Sequence, residues 1–176
     1  MATPISPVES RISVVRADIT TLDVDAIVNA ANASLRGGGG VDGAIHRAAG
    51  PGLLEHCRTL GGSRPGEVTM TPAFNLPMKA ILHAVGPVWR GGDHGELGQL
   101  RSCYSRACAL CQEHGLQRVA FPAISTGAYR YPPAKAARVA VEAVRNALAA
   151  ANLPTHVVFC CFSDGDARTY NKALGR

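Results

Sequence analysis

The chain has no apolar run approaching the roughly 20 residues that a membrane-spanning helix needs. Its N-terminal dozen residues also lack a signal-peptide hydrophobic stretch, so a cytoplasmic location is expected. Aromatic residues are scarce, at 5%. A single-strand nucleic-acid binder supplies stacking rings beside a basic groove. Here the rings are few and the Lys and Arg residues scattered, so nucleic acid is disfavoured. The net charge of +5 favours anionic partners only in a general way. The cysteines Cys57, Cys103, Cys108, Cys111, Cys160 and Cys161 also lack a metal pattern. Cys108 and Cys111 match C-x-x-C without a second pair or a histidine tail, so reduced core thiols are expected, with no structural metal and no redox role. Two nucleotide-binding signatures are missing as well. No acidic residue stands about 20 positions beyond a G-x-G-x-x-G pattern, and no lysine and hydroxyl follow the glycines as in a P-loop.

What is present is a soluble, globular composition, 47% hydrophobic and 18% charged over 176 residues, enough for one domain with a real core. Residues 1–10 carry two prolines and no periodicity and read as a loose arm, leaving 11–176 as a single domain. Alternating or continuous apolar runs predict strands over 11–16, 25–30, 67–73, 79–85, 118–123 and 155–162. Helical patterns occupy 43–49, 51–60, 96–114, 134–151 and 164–174. Pro51 suits a helix start, Gly115 a helix end, and Pro72 the edge or end of a strand. Strands alternating with helices predict a largely parallel sheet sandwiched between helix layers, with ligands beyond the carboxyl ends of the strands.

Two unusual loops follow strands and are expected to open on that side. The first runs from Asn29 and Asn32 through Gly37, Gly38, Gly39 and Gly40 to Val41 and Asp42. A strand passing through a glycine loop into a helix brings backbone N–H groups to a phosphate. The second is Ser125-Thr126-Gly127-Ala128-Tyr129-Arg130. Several residues have two readings. Asp42 is either an N-cap of the following helix or a carboxylate that orients a water. His46, four residues on, supports Asp42 or is structural. Asn29 and Asn32 make local Asx turns or hold ribose hydroxyls. Ser125 to Gly127 form an ordinary turn or receive an anion. Tyr129 is a packed ring or a lid over a sugar. Phe162 is core or a face for a purine, and Asp18 ends its strand or accepts from an adenine amino group.

The blocks Asp25 to Asn32 and Gly37 to Gly50, with His83-Ala84-Val85-Gly86-Pro87-Val88-Trp89 and Phe121-Pro122-Ala123-Ile124-Ser125-Thr126-Gly127, resemble the macrodomain family and its MacroD-type ADP-ribosyl hydrolases. The resemblance spans about Arg11 to Leu174. It implies a three-layer α/β/α sandwich with a mixed, mostly parallel sheet. It also implies a cleft for ADP-ribose, with Asp18 and Ile19 at the adenine, Phe162 against that ring, and both loops around the diphosphate. By the same resemblance Asn32 holds the distal ribose, Asp42 serves the hydrolytic water, and Tyr129 closes over the ribose. The implied reaction removes acetate from O-acetyl-ADP-ribose or ADP-ribose from Asp and Glu esters of proteins, with no cofactor and no metal. The implied partners are ADP-ribose, its esters and mono-ADP-ribosylated proteins. A non-catalytic ADP-ribose reader is the alternative. Two positions depart from the family pattern: Ala128, where a bulkier aliphatic residue is common, and Arg130, where glycine is common.

Overall fold

The computed structural model describes residues 8–176. Of the expected N-terminal arm, residues 1–7 lie outside the described residues, and Val8–Arg11 form a single 3-10 turn. The strands are β1 (Ile12–Arg16), β2 (Ala26–Ala31), β3 (Val68–Pro72), β4 (Ala80–Val85), β5 (Arg118–Phe121) and β6 (His156–Cys161). The helices are α1 (Gly40–Ala49), α2 (Pro51–Arg58), α3 (Glu96–His114), α4 (Pro133–Ala150) and α5 (Asp164–Leu174). The sheet runs β1-β6-β5-β2-β4-β3, and every neighbouring pair is parallel except β3 with β4. β3 is the antiparallel edge, with Pro72 as its last residue, where a missing N–H is tolerated.

Strand periodicity sorts side chains onto two faces. In β2, Ala26 and Val28 pack into one core with α3, α4 and α5, while Ile27 and Ala31 pack into another with α1 and α2. β4 does the same, with Leu82 and Ala84 on the first side and Ile81 and Val85 on the second. The result is the expected three-layer α/β/α sandwich. Both central strands are buried on two faces, which is why each reads as a nearly continuous apolar run.

Most boundaries shift by a residue or two from the sequence expectation, and three of the shifts bear on the site. β5 stops at Phe121, because Pro122 has no N–H to continue the ladder. β6 stops at Cys161, one residue before Phe162. α1 begins three residues early, at Gly40, because Gly43 N–H reaches Gly39 O at 3.3 Å and closes the first turn over glycines that propensity assigns to a loop.

Candidate functional site

The early start of α1 decides what Asp42 is. Gly39 is the N-cap and no side chain caps this helix, so Asp42 lies inside the first turn and the N-cap reading falls. Its side chain turns inward, and the residue is only 5% exposed. Oδ1 accepts from Asn29 Nδ2 at 2.8 Å, and His46 Nε2 lies 3.5 Å from the same oxygen without making a hydrogen bond. Oδ2 has no hydrogen bond among the described residues and faces Gly38. A Cβ on Gly38 would stand 3.2 Å from Oδ2 and 3.4 Å from Asn32 Nδ2. Burial pushes the Asp42 carboxyl above the ordinary carboxylate range, against the Asn29 hydrogen bond and the His46 ring, which both pull it down.

The glycine stretch lies against α1. At Gly43 a Cβ would come 2.5 Å from Gly38 O, so only glycine lets the loop pass this close to the helix. Gly38, Gly39 and Gly40 are exposed and Val41 is half-buried. The first N–H groups of a helix have no partner within it, and here they stand beside an open glycine loop. Asn32 makes the Asx turn: its Oδ1 accepts from Ser34 N at 3.1 Å and from Ser34 Oγ at 2.6 Å, and Nδ2 donates to Gly37 O at 2.9 Å. One amide hydrogen of Asn32 remains.

The second loop closes in from β5, the parallel neighbour of β2. Tyr131 N–H donates to Ser125 O at 2.9 Å and Arg130 N–H to Gly127 O at 3.0 Å, which folds the segment into a compact turn. Ser125 and Arg130 both adopt left-handed backbone, with φ of 67° and 60°. Ser125 is buried and its Oγ has no hydrogen bond within the described residues. Gly127, Ala128 and Arg130 are exposed, and Thr126 and Tyr129 half-buried. The loop after β4 meets this turn. A Cβ on Gly86 would fall 2.1 Å from Ser125 Oγ, so this crossing too requires glycine. Trp89 N–H donates to Tyr129 O at 2.8 Å.

The far end of the same edge is formed by β1 and β6. Ala17 N–H donates to Cys161 O at 3.3 Å, so Asp18 and Phe162 leave paired strands side by side. Phe162 is 92% exposed, which removes its core reading. Asp18 caps a 3-10 turn (Ile19–Thr21), accepting from Thr20 Oγ1 and Thr20 N at 2.7 and 3.0 Å, and these bonds hold its carboxyl below the usual range. Ile19 beside it is buried.

The sequence-named residues therefore line one edge of the sheet, running from Asp18 and Phe162 through the two loops to Asp42. Sequence reasoning missed the support beneath Asp42. Asn29 does not make an Asx turn: it is fully buried and bonds Asp42 and His83. Thr71 went unremarked, and His83 was named only within a resembling block, without a role. Their signal is a polar residue interrupting an apolar strand, legible only once the strands are in register. Glu96 was missed as well. It accepts from the N–H groups of Arg90, Gly92 and His94, fixes the loop that carries Trp89, and is held down to about 2 by those bonds against its burial. A separate open groove of about 460 Å³ lies between that loop and α4, lined by Trp89, Tyr131 and Lys135, and shares none of these site residues. All six cysteines are buried and free, and burial pushes the thiols of Cys103, Cys108 and Cys111 up to about 12. No cluster of three or more metal-ligating side chains occurs among the described residues.

The family model described as Macro domain matches residues 28–140, the span that holds both loops and the strands under them. The chain belongs to the macrodomain family. This macrodomain is 56% identical to a Macro domain-containing protein of Chlorobaculum tepidum, over 93% of this chain and 95% of that one. It is 54% identical to a protein of Citrobacter koseri named O-acetyl-ADP-ribose deacetylase, over 94% and 96% of the two chains. Among solved structures, a Trypanosoma brucei macrodomain in complex with ADP-ribose superposes with a TM-score of 0.90 at 40% identity, covering 98% of this chain and 73% of that one. An Oceanobacillus iheyensis macrodomain variant with ADPR superposes at 0.89 and 39% identity, covering 92% and 90%.

Proposed function

We propose that this macrodomain is a hydrolase of ADP-ribosyl esters. It deacetylates O-acetyl-ADP-ribose and removes mono-ADP-ribose from acidic side chains of proteins. The observation that carries this reading is Asp42: a buried carboxylate with one oxygen tied to Asn29 and the other free beside Gly38 and Asn32. The relatives named O-acetyl-ADP-ribose deacetylase and the ADP-ribose and ADPR complexes of similar folds support the substrate class.

In this reading ADP-ribose lies along the strand ends. Phe162 stacks on the adenine, and Asp18 and Ile19 flank it. The diphosphate sits between the N–H groups of Gly38, Gly39, Gly40 and Val41 and those of Ser125, Thr126, Gly127 and Ala128. Fixed backbone dipoles in such a site need no reorganisation when charge develops. The remaining amide hydrogen of Asn32 and the ring of Tyr129 hold the distal ribose. Oδ2 of Asp42 accepts a hydrogen from a water whose oxygen adds to the ester carbonyl carbon. The bond from that carbon to the ribose oxygen then breaks, the proton passes to the departing oxygen, and a free carboxylic acid and ADP-ribose result. Burial makes Asp42 a better proton acceptor than an exposed carboxylate, because its charged form is stabilised less by water. His46 supports the arrangement from 3.5 Å.

The test compares wild type with Asp42→Ala on a glutamate-mono-ADP-ribosylated protein and on O-acetyl-ADP-ribose, with ADP-ribose affinity measured by calorimetry. Release by wild type only, with binding kept in the variant, is the expected result. Full turnover by Asp42→Ala refutes the role of Asp42. Binding without release by wild type on both esters makes the protein a reader.

A further inference from the structure

We propose that His83 is a positioning residue for Asp42: it acts through the Asn29 amide and is held by Thr71 in the one tautomer that can do so. The inference rests on the role of Asp42 proposed above.

What each atom can donate or accept fixes the arrangement. An ionised carboxylate only accepts hydrogen bonds. Asn29 must therefore turn Nδ2 toward Asp42 Oδ1, 2.8 Å away. The second hydrogen on Nδ2 faces His83 Nδ1 at 3.2 Å. That nitrogen accepts only if it carries the lone pair, which puts the ring hydrogen on Nε2. At Nε2 stands Thr71 Oγ1, 2.9 Å away, and the Thr71 hydroxyl has its own acceptor in Pro72 O at 3.0 Å. Donors and acceptors then alternate without conflict from Pro72 to Asp42. A flipped Asn29 would set its oxygen against two acceptors at once.

The fold makes this chain unavoidable. Asn29 and His83 are register partners across β2 and β4, and both point to the α1 and α2 face. Thr71 reaches the same ring from β3, and α1 delivers Asp42 from above. His83 is fully buried and its pKa is lowered to about 4 by burial and by the nearby His46 and His56, so the ring stays neutral, with one donor and one acceptor. Asn29 Oδ1 has no partner among the described residues. The amide is therefore oriented by its two N–H bonds alone, and losing the one to His83 removes half of what aims Asn29 at Asp42.

Histidine-selective ¹⁵N labelling reads the tautomer directly, with the His83 ring assigned by its loss in His83→Asn. An unprotonated Nδ1 and a protonated Nε2 are expected. A protonated Nδ1 overturns the proposal whether or not the protein turns over a substrate. Two variants then separate the ends of the ring. His83→Asn places an acceptor near the position of Nδ1, whereas His83→Gln reaches toward Thr71 and leaves Asn29 without one. In release of ADP-ribose from the glutamate ester, kcat is expected to fall about tenfold in His83→Gln and about threefold or less in His83→Asn, as for one lost buried hydrogen bond. KM and ADP-ribose affinity should stay near wild type in both. Equal losses in the two variants, or a loss carried by KM, overturn the proposal. Thr71→Val keeps the shape of the site and covers the case in which a histidine variant does not fold. It should release the tautomer lock and lower kcat about threefold, and an unchanged ring signal and kcat overturn the part given to Thr71. A wild type that binds ADP-ribose without releasing it from either ester refutes the hydrolase reading itself, which the tautomer measurement distinguishes from failure of the chain.

Discussion

The two faces of one sheet are built on opposite principles. Under α3, α4 and α5 the core is aromatic: Tyr104, Phe121, Phe159 and Tyr170 form a contiguous cluster with ring centroids 4.9 to 6.4 Å apart. Within it the two tyrosine hydroxyls approach to 3.5 Å. Under α1 and α2 the core is aliphatic and is crossed by the polar line of Thr71, His83, Asn29 and Asp42. The difference teaches a division of labour. Large rings bury the most apolar area and stabilise the fold. Buried polar groups stabilise less, and each one left unpaired is a penalty, so their presence fits the face to which the proposed chemistry is assigned.

Removing a large ring from the first face has the largest expected effect. Phe121→Ala should lower stability by about 3–5 kcal/mol in urea unfolding, while ADP-ribose affinity of the molecules still folded is retained. A small loss would mean that the aromatic face is not the stabilising one. On the second face the expectation reverses. Asp42→Asn should lower turnover about 100-fold, or about 2.7 kcal/mol, with the melting temperature unchanged or higher. The sign follows from its raised pKa, since burial disfavours the charged form in the folded state.

The pH dependence sharpens the contrast further. His83 is lowered from 6.5 to about 4, so between those values the unfolded chain binds a proton that the folded protein does not. Its contribution is fully present above pH 6.5 and is lost as pH falls toward 4, by about 2 kcal/mol between pH 7 and pH 5. Unfolding titrations of wild type and His83→Asn at those two pH values check this. Parallel curves would show that the ring does not titrate as its burial requires. The smallest effect is expected where neither core is touched. Phe162→Ala should weaken ADP-ribose binding about tenfold, as for one lost base–aromatic stack of about 1–3 kcal/mol, without lowering the melting temperature of a ring already 92% exposed.

Much of the fold was legible because its signals are local. Buried strands such as Ala26–Ala31 announce themselves as apolar runs, and Glu96–His114 as a periodic stretch stopped by Gly115. The glycine block, Asp42 and the Ser125 loop were legible as candidates, since strand-to-helix turns fall at the carboxyl edge of any parallel sheet. The start of α1 was not, because propensity argues against a helix opening on glycine and only the hydrogen bond from Gly43 to Gly39 decides it. The state of Phe162 was not, because an apolar ring after an apolar strand reads equally as core or as surface.

By itself, then, the sequence determined the order of elements, the sandwich of two helix layers on a mostly parallel sheet, and the edge to which both unusual loops come. Periodicity and turn chemistry act over a few residues and survive without knowledge of partners. Only the tertiary structure decided that Asn29, His83 and Thr71 stand under Asp42. Asn29 and His83 are 54 positions apart in the chain, and strand register, set by burial of whole faces, brings them to 3.2 Å.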